Sequence, residues 1–201
     1  MGRTGKIDID KIIDEAVNAS NRRGLENLSM NDLAEALGVR TPSLYSHVAG
    51  IDEIRRLLAI RALTELDHYM SRAALGKSAE DAIYAICKAY RDYAIKNPGI
   101  YAALVPTPSR SDREWTAAKE QIMETMLTAI HGYGFDDDEE VHVFRALRSM
   151  VHGFVWHEMH GAFKKELDHE ESFKWLVSAF VLGLQEKRKA KLAVVQGALA
   201  K

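Results

Sequence analysis

Apolar residues recur three and four positions apart in one segment after another along this chain, the period of amphipathic helices. The first segment opens at Asp8, a capping residue, carries Ile9, Ile13, Ala16, Val17 and Ser20 on one face, and ends at Gly24. Leu25 and Leu28 pin the loop that follows. Ser29 caps a second helix and Asp32 returns the bond, a Ser-x-x-Asp capping box. Met30, Leu33, Ala34 and Leu37 share its apolar face, and Gly38 supplies the left-handed residue that stops it. Val39 and Arg40 bridge to Thr41, a further cap, and Pro42 takes the first position of a third helix running to about Val48. Leu44 and Val48 face inward, which leaves Arg40, Thr41, Ser43, Tyr45, Ser46 and His47 outside. The stretch Ser29 to Val48 therefore predicts a helix-turn-helix, buttressed by the first helix into a three-helix module.

Beyond it the helical period continues. Ile54, Leu57, Leu58, Ala62, Leu66 and Tyr69 mark a long connecting helix from Asp52 to about Leu75. Ser78, with Asp81, opens a helix through Ala85, Cys87, Tyr90 and Tyr93 to Asn97, where Pro98-Gly99 stops it. A short helix then ends before Pro106, and residues 106–111 form the clearest loop. A helix from Asp112 to His131 carries Trp115, Ala118, Ile122, Met126, Leu127 and Ile130. The acids from Asp136 to Glu140 stand where the next helix begins and complement its dipole; the alternating ligands and central glycine of a calcium loop are absent. The last two long helices, Asp138 to Ala162 and Glu171 to Lys189, are apolar on more than one side, which predicts a homodimer formed through them. The fold class expected is all-α, with residues 1–50 as one domain and 51–201 as a second, helical one.

Composition narrows the function classes. With 201 residues and 47% hydrophobic content the chain builds a sizeable core. It has no apolar run of membrane-spanning length and no apolar signal core at the N-terminus, so a cytoplasmic location is expected. The single cysteine, Cys87, lies in a helical pattern and reads as a small core residue. Net charge is −2, so any attraction to nucleic acid must be local; Arg3 and Lys6 on a short basic arm and Arg40 at the turn supply it.

The motif also resembles the tetracycline-repressor (TetR) family of bacterial transcriptional regulators. The resemblance rests on Leu33-Ala34-Glu35-Ala36-Leu37-Gly38-Val39 and Ser43-Leu44-Tyr45-Ser46-His47-Val48. The C-terminal half resembles the branch of that family with a His-Gly (WHG-type) ligand domain, through His152-Gly153-Phe154-Val155, Glu158, Gly161, Phe163 and Glu171-Ser172-Phe173, together with Asn97-Pro98-Gly99-Ile100-Tyr101. The chain departs from the family where the long helix begins: Val48-Ala49-Gly50-Ile51-Asp52-Glu53 holds no phosphate-binding lysine, and Arg55 and Arg56 follow a turn later.

The resemblance implies a ligand-responsive regulator, not an enzyme, with no cofactor. It binds double-stranded DNA at a palindromic operator as a homodimer and is released by a small-molecule effector. By the same resemblance Tyr45 and His47 hold phosphate, Thr41 and Ser43 reach base edges, and Arg40 reads guanine or clamps phosphate. Tyr90, Tyr101, Leu104, Trp115, Met123, Met126, Phe144 and Trp156 are the candidate effector-lining residues, because they mix aromatic, polarizable and hydrogen-bonding groups. Two rivals remain. One is an all-helical metalloprotein or enzyme using the histidines between His142 and His169, where His157 and His160 share a helix face. The other is an interaction bundle that has lost DNA binding.

Overall fold

The computed structural model describes residues 7–77, 79–104 and 112–199. Among these the chain forms nine α-helices and no strand, the all-α fold that the periodicity predicts. The helices are α1 (Ile9–Arg23), α2 (Met30–Ala36), α3 (Thr41–Leu44), α4 (Ile51–Ala74), α5 (Ala79–Lys96), α6 (Pro98–Ala102), α7 (Arg113–His131), α8 (Asp137–Met159) and α9 (His169–Leu199). The backbone groups into two compact units, Met1–Glu65 with Lys96–Glu120, and Leu66–Ile95 with Gln121–Lys201.

In the first unit Asp8 caps α1 by accepting from the Lys11 amide at 2.9 Å, and Gly24 closes it at φ 87°. The buried face is centred on Ile12, with Ile13, Ala16 and Ser20 beside it, while Ile9 in the first turn is exposed. Ser29 caps α2 as expected, accepting from the Asp32 amide, but the Asp32 carboxylate accepts a hydrogen bond from the Ser29 hydroxyl instead of from the Ser29 amide, so the reciprocal bond of the expected capping box is replaced by a side-chain one. At the other end Gly38 adopts φ 67°, and the amides of Gly38 and Val39 donate back to the carbonyls of Glu35 and Ala34. That is a Schellman closure, and it sets the direction in which the chain enters α3.

The third helix differs from its expected form. Arg40, not Thr41, occupies the cap position, Thr41 is the first helical residue, and the Thr41 hydroxyl turns away to donate to Asn31 Oδ1 at 2.9 Å. The helix proper also ends at Leu44, and residues 45–47 continue as a turn. Ser46 donates to the Ser43 carbonyl at 2.7 Å, a local side-chain bond that competes with the helical ladder. Leu44 and Val48 are both buried, as predicted.

Two features fix α6 and α7 within this unit. Pro98 opens α6 instead of only closing the helix before it, and Asn21 Oδ1 of α1 accepts from the amides of Gly99 and Ile100 at 2.9 and 3.1 Å. Asp112 caps α7 through the Trp115 amide and receives the Arg56 guanidinium, which also reaches Glu114 at 2.6 Å.

In the second unit α8 begins with a full capping box between Asp136 and Glu139. Its end comes at Met159, with Gly161 at φ 60°, a little before the expected Ala162. Helix α9 runs ten residues past the expected Lys189; no strong breaker follows, and Lys191 pairs with Asp136 at 3.3 Å and with Glu139. Deep in the unit Arg91 of α5 forks onto Glu158 of α8 with two 2.7 Å bonds and reaches Glu170 of α9 at 2.5 Å, its plane lying over Phe173. The expected cap Ser78 and the loop at residues 106–111 lie outside the described residues.

Candidate nucleic-acid interface

Leu44 and Val48 anchor the segment from Arg40 to Val48 on its inner side. The side chains between and before them then have one direction left. Arg40, Ser43, Ser46 and His47 are exposed, Thr41 is half-buried, and Tyr45 is 54% exposed. An exposed tyrosine flanked by hydroxyls and an imidazole presents one apolar ring and several hydrogen-bonding tips on one surface. Such tips serve phosphates and base edges alike. Asp8 lies near enough to His47 to feel its charge: the Lys11 backbone amide holds the Asp8 carboxyl below its usual range, and Lys11 and His47 add to this.

Thus five of the seven proposed DNA contacts, Arg40, Thr41, Ser43, Tyr45 and His47, stand in one short segment. The other two, Arg3 and Lys6, lie outside the described residues. Sequence reading passed over Asn31. It sits exposed in the first turn of α2, and only the spatial pairing with Thr41, ten residues on, marks it.

At the start of α4 the polar groups are engaged within the chain. The Ala49 amide donates to the Glu53 carboxylate. Arg56 is committed to Asp112 and Glu114, while Arg55 is more exposed and pairs with Asp52 at 3.3 Å.

The candidate effector-lining residues divide between the units. Tyr101, Leu104 and Trp115 belong to the first, and Tyr90, Met123, Met126, Phe144 and Trp156 to the second. Tyr101, Trp115, Tyr90, Met126 and Phe144 are buried, and Leu104 and Met123 half-buried. The Tyr90 hydroxyl lies 3.4 Å from His152 Nδ1, where burial holds the imidazole pKa below its ordinary value. Trp156 is at the surface, 45% exposed, with its ring stacked on His160 at 4.3 Å. A cavity of about 480 Å³ opens between α8 and α9, lined by Phe135, His142, Val143, Phe180, Leu184 and Lys187, and none of the eight lines it.

Among the described residues no three His, Cys, Asp or Glu side chains gather closely enough to hold a metal ion. Cys87 is fully buried, and burial pushes its thiol up to about 12, which keeps it protonated and inert. No described helix is long and apolar enough to cross a membrane.

Comparison with known proteins agrees with this geometry. Residues 12–56 match the model for bacterial regulatory proteins of the tetR family, and residues 83–180 match a tetracyclin repressor-like C-terminal domain. The chain is 30% identical to the HTH-type transcriptional regulator Rv0681 of Mycobacterium tuberculosis over 93% of its own length and 86% of that protein's. It is 34% identical to the HTH-type transcriptional regulator YobS of Bacillus subtilis, covering 86% and 90%. In fold it is similar to the TetR family regulator PfmR of Thermus thermophilus, with a TM-score of 0.64 at 21% identity, covering 84% and 96% of the two chains. A TetR variant of Acinetobacter baumannii in complex with minocycline gives a TM-score of 0.70 at 20% identity, covering 91% and 99%. The chain therefore belongs to the tetR family of bacterial transcriptional regulators, a DNA-binding helix-turn-helix protein and not an enzyme.

Proposed function

We propose that this regulator is a repressor that binds a palindromic operator as a homodimer and leaves it when a small-molecule effector binds. One observation carries the reading: the outward polar set Arg40, Thr41, Ser43, Tyr45 and His47 is held on a segment pinned from behind by Leu44 and Val48. Arg3 and Lys6 add local positive charge ahead of α1. In this reading residues 1–50 bind DNA and residues 51–201 bind the effector and dimerise, in the cytoplasm.

Reading a palindrome needs two such segments about one turn of DNA apart, which two-fold symmetry supplies. Helices α8 and α9 are the elements proposed to pair. Trp175, Ala179 and Leu182 lie on one face of α9 and are all exposed, Trp175 at 77%. An effector releases the operator only through its differential affinity for the bound and released arrangements. The A. baumannii protein of similar fold is in complex with minocycline, which supports a small organic molecule as the class of effector.

Selection of random duplexes by the purified protein at near-physiological salt tests the proposal. A palindrome enriched by the parent and lost in Arg40→Ala and Tyr45→Ala, with affinity falling steeply as salt rises, is the expected result. Failure to enrich any sequence even at low salt would refute it.

A further inference from the structure

Asn31 stands at the second position of α2 and Thr41 at the first of α3, and the turn of the motif brings their side chains together. The Thr41 Oγ1 lies 2.9 Å from Asn31 Oδ1 and donates to it. A hydroxyl has one proton and two lone pairs. With its proton directed at Asn31, Thr41 presents only lone pairs to whatever approaches from outside. The other edge of the Asn31 carboxamide carries two donors that meet no protein group among the described residues, and Asn31 is exposed.

In the major groove the hydrogen-bond donors are the exocyclic amines, N6 of adenine and N4 of cytosine; guanine O6 and thymine O4 are acceptors. Threonine ordinarily serves either class, because its hydroxyl rotates. Resting on the DNA-binding reading above, we propose that Asn31 is a positioning residue that locks Thr41 as an acceptor, so that Thr41 selects a base bearing an exocyclic amine. Asn31 holds a neighbouring phosphate through Nδ2. A threonine locked in this way discriminates by chemistry, not by shape, since an acceptor facing O6 or O4 leaves two lone pairs opposed.

The test uses the selected operator and four proteins: the parent, Thr41→Val, Asn31→Ala and Asn31→Asp. Valine keeps the shape of threonine, Asn31 is exposed, and thermal melting confirms that all four fold. The position within each half-site that loses its preference in Thr41→Val is the one Thr41 reads. At that position the exocyclic amine is removed, with purine in place of adenine or 2-pyrimidinone in place of cytosine. Its removal weakens the parent roughly three- to tenfold, the worth of one hydrogen bond, and leaves Thr41→Val unaffected; exchanging the amine-bearing base for one that presents O6 or O4 there costs the parent more than it costs Asn31→Ala, whose freed hydroxyl turns and donates. Asn31→Asp still accepts the hydroxyl proton, so it keeps the sensitivity to the amine while binding every duplex more weakly through repulsion of phosphate. If removing the amine costs the parent nothing, or if the exchange for an O6 or O4 base costs Asn31→Ala as much as the parent, the proposal is overturned and the operator-binding reading stands. A parent that enriches no site overturns the operator-binding reading itself.

Discussion

Tyr45 is 54% exposed one residue after fully buried Leu44, so the two side chains do different work on one short segment. Truncating Leu44 leaves a cavity, whereas truncating Tyr45 removes surface alone. Tyr45→Ala is therefore expected to leave the unfolding free energy from urea titration within about 0.5 kcal/mol of the parent while weakening operator binding at least several-fold, read by titration of labelled DNA. A fall in stability with DNA binding intact would move Tyr45 into the core. The Arg91 cluster shows the opposite case, a buried side chain with a charge. Its partners Glu158 and Glu170 lie 67 and 79 residues away along the chain, and no local pattern announces the pairing. Burial pushes the Glu158 carboxyl up, and the Arg91 guanidinium with His169 more than reverses this, leaving it below its ordinary value. A carboxyl whose folded pKa is depressed contributes stability above its unfolded value and loses it as pH falls through the folded one. Urea midpoints recorded from neutral pH down through about 4 are expected to fall more steeply for the parent than for Glu158→Gln. Parallel slopes would show that Glu158 titrates alike in both states.

At the scale of elements, what the sequence made legible is whatever one helix decides alone. The caps at Asp8 and Ser29, the glycine stop at Gly38 and the inward pair Leu44 and Val48 all lie where local chemistry places them. The failures lie where two elements meet. Thr41 reads as a cap until Asn31 of the neighbouring helix takes its hydroxyl, and Pro98-Gly99, correctly read as a stop with a short helix after it, gives no sign of the α1 contact it makes. Gly99 is needed there for closeness: a Cβ would stand 2.0 Å from the Ser20 carbonyl oxygen of α1, a backbone atom that cannot swing aside. Asn21 seals the same contact by accepting two amides of α6. Gly99→Ala should therefore destabilise the protein by about 1–3 kcal/mol, the usual cost of overpacking, and Asn21→Ala by about 1 kcal/mol. Denaturant titration reads both, and an unchanged midpoint in Gly99→Ala would mean that α1 and α6 separate readily.

At the scale of the whole molecule, a regulator with one recognition segment per chain must borrow a second to read a palindrome. The gain is large, because once one half-site is held the other segment binds at the high effective concentration of a tethered partner, and avidity exceeds single-site affinity by about 10²–10⁴. The face of α9 bearing Trp175, Ala179 and Leu182 is the proposed means of joining. Leu182 is 59% exposed, so replacing it with glutamate should leave the fold of the single chain intact while placing a charge in the middle of the joined surface. Leu182→Glu is expected to sediment as a monomer where the parent is a dimer, with the melting of isolated chains unchanged. Its affinity for a full operator should drop by about 100-fold or more, whereas its affinity for a lone half-site should match that of the parent. The half-site arm separates a lost partner from a damaged recognition segment: only damage to Arg40–His47 weakens both. A Leu182→Glu that remains a dimer would place the joining surface elsewhere than on α9, and a parent that sediments as a monomer would overturn the proposed homodimer itself.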